Sequence, residues 1–243
     1  MSTCQLDGHL SSQPTPTAHS GRLLPKNKVY GHARPSRAVR QRFIDEVEEI
    51  VWSHKLAPET LRLPAKPGVA EIQVFEIALK APAFGEPALR EDVLRTIDRA
   101  IPSLIFFELT FENRVRFAAA YKRASLIGGE TGAAANQPVV ETYFETPWQE
   151  ATVPRLPLPV ALDMAGLYEQ MLRAHMLASP YALRPRTGES LPETVERGSL
   201  IRAKRRECKQ LEAKLRKEAQ FNRKVEVNGQ LRACLAALAD LEA

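Results

Sequence analysis

Apolar residues near the start of the ordered chain recur at intervals of three and four. This spacing predicts one face of a helix that runs from Ser36 to about Lys55. Ser36 is a suitable N-cap, because its hydroxyl can accept a hydrogen bond from a free backbone N–H of the first turn. The apolar face consists of Val39, Phe43, Val47, Ile50 and Val51.

The pattern then changes to short apolar runs bounded by proline and glycine, which are typical of strands. Residues 69–80 (VAEIQVFEIALK) and 103–111 (SLIFFELTF) predict two buried strands. Residues 114–122 and 139–146 predict two more, and the first of these forms a hairpin with the strand before it. The glycine-rich residues 124–138 predict a mobile loop between them.

Two further helices flank these strands. One begins at Pro87, a favourable first helical residue, and ends before Pro102. The other spans about Val160 to Ala178, after the proline-rich connector 153–159. Consecutive strands with flanking helices favour the α+β class, with a small, mostly antiparallel sheet.

The last fifty residues predict a long helix or a helical hairpin of the coiled-coil type. Ser190 and Glu193 form a capping box with Pro192 in the first turn, and no proline follows. An apolar seam, which we expect to mediate oligomerisation, is interrupted near Phe221, where a turn or a stutter would reconcile its halves. The seam residues are Leu211, Leu215, Phe221, Val225, Leu231, Leu235 and Leu238.

Cys208 and Cys234 are placed symmetrically about position 221. A hairpin that turns there would bring them side by side, and so would an antiparallel homodimer. A parallel dimer would instead place each cysteine opposite its own copy. The predicted organisation is therefore a disordered tail (1–22), an α+β domain (23–182), a linker with a helix cap (183–193) and the coiled-coil helix (194–243).

Charge is distributed unevenly along the chain. The net charge of +5 resolves into +6 for residues 1–42, −6 for residues 43–194 and +5 for residues 195–243. Basic ends favour contact with non-specific DNA or with an acidic protein surface. The alternative is that these cations lie on solvated helix faces and pair with nearby glutamates. The candidate phosphate-binding residues are Arg202, Lys204, Arg205, Arg206, Lys209, Arg223 and Lys224.

Cysteine and histidine spacing excludes several site types. Three cysteines, an odd count, predict no disulfide framework, and no histidine stands at zinc-ligand spacing. The absence of an apolar leader and of a run of about 18 apolar residues favours a cytoplasmic protein without membrane contact. Walker A and nucleophile-elbow motifs are absent from the sequence.

Three segments carry a family resemblance: EIQVFEIALK (residues 71–80), IDRAIPSLIFFEL (97–109) and KEAQFNRKVEVNGQLRACLAAL (217–238). Over about residues 25–243 the chain resembles an uncharacterised bacterial family of unknown function. Members of that family stand beside helicase and DNA methyltransferase genes of restriction-like or phage-defence islands. The resemblance implies an accessory role in a DNA-processing system, and it implies no catalytic residues.

Strand alternation supplies one candidate catalytic cluster. Glu76 and Glu108 each stand among apolar neighbours in a predicted strand, and a buried charge requires a partner or a raised pKa. Together with Lys80 and Asp98 they could hold Mg²⁺ or Mn²⁺ for phosphodiester hydrolysis. The spacing differs from the acid-x-Lys pattern of restriction nucleases, so it favours a structural ion pair.

The sequence therefore favours a non-enzymatic adaptor without a cofactor. Its α+β domain would dock a helicase or a methyltransferase, and its C-terminal helix would assemble the protein. Two alternatives stay open, namely a metal-dependent nuclease subunit that uses Glu76, Glu108 and Lys80, and a structural homo-oligomer without nucleic acid.

Overall fold

The chain folds into two units, residues 1–182 and residues 183–243. The computed structural model describes residues 9–13, 19–123, 139–179 and 183–243. The glycine-rich segment 124–138, which the sequence predicts as a loop, lies outside the described residues. Among the described residues, no helix is long and apolar enough to cross a membrane.

Nine strands are present among the described residues of the first unit, and seven of them form one sheet. The strands are β1 (His9–Gln13), β2 (His19–Leu23), β3 (Val47–Leu56), β4 (Ile72–Leu79), β5 (Leu104–Phe111), β6 (Arg114–Arg123), β7 (Val139–Glu145), β8 (Gln149–Glu150) and β9 (Arg155–Pro157). The large sheet has the order β2-β3-β4-β5-β6-β7, and β8 pairs with β6. A separate two-stranded sheet joins β1 and β9 in parallel.

Helices cover the sheet and form the second unit. They are α1 (Lys26–Ala33), α2 (Arg37–Glu46), α3 (Pro58–Leu61), α4 (Glu91–Ala100), α5 (Met164–Ala178), α6 (Leu191–Lys217) and α7 (Phe221–Glu242). In the large sheet β4 and β5 are parallel and are joined through α4, whereas the other strand pairs are antiparallel. The α+β class with a mostly antiparallel sheet is thus confirmed.

The main hydrophobic core lies between one sheet face and α1, α2 and α4. Phe75 of β4 and Phe107 of β5 pack there with Phe43 of α2 and Ile97 of α4, and all four side chains are buried. Phe75 alternates with the partly exposed Val74 and Glu76 in β4, whereas residues 104–109 of β5 are all buried, as expected of a strand covered on both faces. This face of the sheet therefore holds the main core, and the opposite face is covered separately.

The predicted helix from Ser36 to about Lys55 is only half correct. Ser36 does cap α2, since its Oγ accepts from the backbone N of Val39 at 3.4 Å. The helix ends at Glu46, and the chain continues as β3, antiparallel to β4. Val47 and Ile50 remain buried in the strand, so the same apolar pattern serves both structures. Pairing with β4 overrides the helical period.

The opposite sheet face is covered by α5. The phenol of Tyr168 donates to the carbonyl of Ala120 at 2.9 Å and accepts from the backbone N of Lys122 at 3.3 Å. Its ring lies edge-on to Phe106 with centroids 6.0 Å apart. Because Tyr168 bonds the backbone of β6, it fixes α5 against that strand.

Two strands lie in the segment for which the sequence predicts a disordered tail. β2 pairs antiparallel with β3 and extends the large sheet, and β1 pairs with β9. Both segments are polar, and backbone hydrogen bonding to an available strand edge is what orders them. The remaining tail residues, 1–8 and 14–18, lie outside the described residues.

The second unit is a helical hairpin, one of the arrangements that the sequence predicts. α6 begins with the predicted capping box, in which the Glu193 carboxylate accepts from the backbone N of Ser190 at 2.8 Å. It ends at Lys217, and α7 begins at Phe221, so the turn falls where the apolar seam is interrupted. Cys208 and Cys234 are joined by a disulfide at the centre of the helix contact.

Two arginines close the base of this hairpin. Arg197 forms an ion pair with Glu189 at 2.7 Å and donates to the carbonyl of Leu241 at 3.3 Å. Arg186 donates to the carbonyls of Asp240 and Leu241 at 2.9 and 3.2 Å. Cations near the last carbonyls of α7 satisfy free acceptors and the negative end of the helix dipole.

Candidate functional site

The sheet register brings two of the predicted site residues together. Glu76 of β4 stands opposite Glu108 of β5 in the parallel ladder. Register partners on neighbouring strands project from the same face, and their side chains are neighbours. This is the face under α5, because Phe106, two residues before Glu108, contacts Tyr168 there.

Glu108 is buried and paired. Only 9% of its side chain is exposed, and it forms an ion pair with Arg155 of β9, whose side chain is 35% exposed. Burial raises the pKa of the Glu108 carboxyl; the charge of Arg155 opposes this shift, and the nearby charge of Glu76 adds to it. Arg155 is therefore the counterion that the buried Glu108 carboxylate requires.

A small pocket lies next to Glu108, between β5, β9 and α5. We call it the β5 pocket, and it has about 30 Å³ of free space, room for about two water molecules. Its principal lining residues are His54, Phe106, Glu108, Phe117, Arg155, Met171 and His175. The aromatic rings are close, since the ring of His175 lies 5.0 Å from that of Phe106 and 6.2 Å from that of Phe117.

Both histidines of the β5 pocket are neutral at neutral pH. Burial lowers the pKa of His175 to about 4, and its Nδ1 lies 2.8 Å from the carbonyl oxygen of Met171. Burial likewise lowers the pKa of His54 to about 4, with further contributions from His19 and Arg155. The pocket thus combines one carboxylate, one guanidinium and two uncharged imidazoles.

Asp98, the third predicted carboxylate, lies elsewhere. It projects from α4 on the opposite side of the sheet, where Lys122 approaches it to 2.5 Å and the phenol of Tyr143 donates to it. Both charged side chains are almost completely buried, and Lys122 also donates to the carbonyl of Ser103 at 2.6 Å. Burial raises the pKa of Asp98 and lowers that of Lys122. This cluster holds α4 against the sheet.

Lys80 also lies apart from the two glutamates. It follows the last residue of β4, and its Nζ donates to the carbonyl of Ile44 in α2 at 2.8 Å. Lys26 makes similar bonds to the carbonyls of Phe43 and Val47. These lysines complete the hydrogen bonding of the α2 C-terminus. Among the described residues, no three His, Cys, Asp or Glu side chains lie close enough together to hold a metal ion.

The predicted seam residues divide into two groups. Leu211, Leu215, Leu231 and Leu238 pack with Cys208 and Cys234 inside the hairpin. Phe221, Val225 and Leu235 are exposed by 78%, 57% and 45%. The first group is occupied within the chain, so the second group is what remains available for a partner.

The predicted phosphate-binding residues also divide. Arg205 pairs with Glu242 at 2.6 Å, and Lys204 pairs with Glu207 at 2.8 Å. Arg202 donates to the hydroxyl of Ser199 at 3.0 Å. The other four side chains, Arg206, Lys209, Arg223 and Lys224, are exposed. The outcome is intermediate between the two expectations, a solvated paired face and a free basic surface.

Sequence reasoning did not single out Arg155, His54 or His175. A signal existed for His175, which stands one helical turn from Met171 on the buried side of α5. A polar residue on a buried helix face requires a hydrogen-bond partner. Arg155 carries no such local signal, because its partner Glu108 is 47 residues away in the sequence.

Comparison with protein families gives one match. Residues 15–238 match the family described as a domain of unknown function (DUF4391). The chain belongs to this family. No curated protein and no solved structure matches the chain.

Proposed function

We propose that this protein is a non-enzymatic adaptor of a bacterial DNA-processing or phage-defence system, located in the cytoplasm. It docks a helicase or a DNA methyltransferase, and the hairpin also mediates its self-assembly. The observation that carries this proposal is the exposed apolar surface at the turn between α6 and α7. The choice of partner rests on the family resemblance of the sequence.

The hairpin tip consists of two apolar side chains and five cations. Phe221 and Val225 are four residues apart, so they share one face of the first turns of α7. The surrounding exposed cations are Lys214, Arg216, Lys217, Arg223 and Lys224. Exposed aromatic and aliphatic side chains within a charged rim are typical of protein interfaces, and the cations favour an acidic partner surface.

The hairpin is suited to present such a tip rigidly. Its two helices are held together by a contact that contains Leu211, Leu215 and Leu231, and in oxidising conditions the Cys208–Cys234 disulfide also cross-links them. A rigid element loses less conformational entropy when it binds than a flexible one does. The tip therefore loses little conformational entropy when a partner binds it.

Co-purification from the native host tests the adaptor. We expect the tagged full-length protein to retain a protein with helicase or methyltransferase motifs, and the double variant Phe221→Ser/Val225→Ser to lose it. Leu200→Ser is a matched control, because Leu200 is also exposed on the hairpin, at 51%, but lies far from the tip. Recovery of the chain alone would instead support the structural homo-oligomer.

The register pair Glu76–Glu108 supports a second candidate, the metal-dependent nuclease subunit. Two carboxylates on neighbouring strands are a common part of such sites. We expect no cleavage of DNA in Mg²⁺ or Mn²⁺ by the purified chain. Metal-dependent cleavage that both Glu76→Ala and Glu108→Ala abolish would replace the adaptor by the nuclease.

A further inference from the structure

The buried imidazole of His175 presents an unused hydrogen-bond acceptor to the β5 pocket. The carbonyl oxygen of Met171 can only accept, so the Nδ1 that lies 2.8 Å from it carries the ring proton and donates. In a neutral ring the other nitrogen, Nε2, then has a free lone pair. Within the described parts of the chain, no group donates to Nε2. Since His175 is only 4% exposed and lines the pocket, a donor that reaches this acceptor has to enter the pocket.

The charged side chains next to the β5 pocket do not balance one another. Glu76 and Glu108 are register partners, and among the described residues only Arg155 forms an ion pair with either of them. Two carboxylates and one guanidinium leave a net negative site next to the β5 pocket. Arg155 stands on a three-residue strand, lines the β5 pocket and is about one-third exposed, so this side of the pocket reaches solvent.

The walls of the β5 pocket suit a cation with an apolar stem. Phe106 and Phe117 contribute aromatic rings, whose faces attract positive charge, and Met171 adds an apolar surface. The free space of about 30 Å³ admits the head of a ligand and excludes a bulky one. Arg155 is the only obligatory donor among the described lining residues; the others are apolar, aromatic, imidazole or carboxylate groups.

We propose that the β5 pocket binds the ammonium group of a primary amine on a slender aliphatic stem. The ammonium group donates to the Glu108 carboxylate and to Nε2 of His175, and the stem leaves past Arg155. A free small amine and the lysine side chain of a peptide share this chemistry. The site is independent of the hairpin tip and hence of the adaptor proposal.

Nuclear magnetic resonance of the full-length protein, titrated with n-butylamine, tests this site. We expect saturable binding with a shift of the His175 Nε2 resonance, because the free acceptor gains a donor. Butan-1-ol has the same stem without the charge, and we expect it to bind at least about tenfold more weakly, the usual effect of a charge-assisted hydrogen bond. No saturable amine binding, or equal binding of the alcohol, overturns the proposal.

Variants locate the site on the sheet. Glu108→Gln keeps the side-chain shape, and we expect it to weaken butylamine binding by about tenfold or more. If that variant does not fold, the half-buried Glu76→Gln replaces it, with a smaller loss expected. Glu49→Gln, exposed on β3, is the control and should bind like the wild type. Unchanged affinity in both Glu108→Gln and Glu76→Gln overturns the assignment.

A second ligand distinguishes the two sources of the amine. Nα-acetyl-lysine methylamide carries the same head on a peptide unit. If it binds as tightly as n-butylamine or more tightly, the pocket accepts a lysine side chain of a protein. If n-butylamine binds and the lysine amide does not, the ligand is a free small amine.

Discussion

Cys208 of α6 and Cys234 of α7 face each other across the hairpin and are joined by a disulfide, with Cα atoms 5.9 Å apart. Each cysteine is only 4% exposed. The bond closes a loop across a sequence separation of 26 residues, and for a loop of this size we expect a stabilisation of about 3.5 kcal/mol. The hairpin should therefore open more readily in the double variant Cys208→Ala/Cys234→Ala.

Native-state hydrogen exchange of the α7 amides measures this opening. A reducing agent should shift the wild type towards the variant and leave the variant unchanged. The bond lies within one chain, so we expect a monomer on a non-reducing gel at every protein concentration. A band at twice the mass that disappears on reduction and in the double variant would show that these cysteines pair between chains instead.

The hairpin illustrates what the sequence could predict. The capping box at Ser190, the interrupted seam near Phe221 and the symmetric cysteines are local signals, and each of them marks a feature of the hairpin. The disulfide itself was not predicted, because an odd number of cysteines does not indicate which of them pair. The boundary between α2 and β3 was missed for a related reason, since only the pairing with β4 distinguishes a strand from a helix there.

The candidate site was less accessible to sequence reasoning. Strand alternation placed Glu76 and Glu108 among apolar neighbours, and the register makes them a pair. The sequence analysis also grouped these glutamates with Asp98 and Lys80. In the structure Asp98 pairs with Lys122, and Lys80 donates to the carbonyl of Ile44. Which charges meet depends on the order of the strands and on long connections, and no local pattern in the sequence contains that information.

The buried pair of Asp98 and Lys122 should be costly to break from one side. We expect Asp98→Asn to destabilise the first unit by about 3 to 5 kcal/mol, because it leaves the Lys122 ammonium buried without a counterion. Removal of the Tyr143 hydroxyl in Tyr143→Phe should cost less, about 1.5 to 3 kcal/mol, because it removes a hydrogen bond to the charged Asp98 carboxylate. Urea unfolding of the full-length variants gives both values.

The double variant Asp98→Leu/Lys122→Met is the control for this argument. It removes both charges, so no uncompensated charge stays in the core, and we expect it to be more stable than Asp98→Asn. If Asp98→Asn proves as stable as the wild type, the ion pair does not hold α4 against the sheet.

DNA affinity provides a separate test of the basic hairpin surface. Arg206 and Lys209 are exposed, so we expect Arg206→Ala/Lys209→Ala to weaken DNA binding and to make its salt dependence shallower. The slope of log K against log salt should change by about one for each phosphate that the variant no longer neutralises. Fluorescence anisotropy over a range of salt concentrations measures this slope.

Arg205→Ala is the matched control for the DNA experiment. Arg205 stands in the same cluster, but its guanidinium pairs with Glu242. We expect a smaller change of slope in this variant than in the double variant. A slope near zero in the wild type would mean that the basic end does not contact phosphates.

Acid should loosen the base of the hairpin through Glu189. Hydrogen bonds from Arg197 lower the pKa of the Glu189 carboxyl from its ordinary value of 4.5 to about 2. Between these two pH values the unfolded chain binds a proton that the folded chain does not, so the stabilisation is complete above pH 4.5. It is lost as the pH falls towards 2.

Glu189→Gln should remove this part of the pH dependence, whereas Glu212→Gln, which is exposed on α6, should keep it. Hydrogen exchange of the last α7 amides between pH 5 and pH 2 is the measurement, and identical pH profiles for Glu189→Gln and the wild type would contradict the role of the Arg197 ion pair.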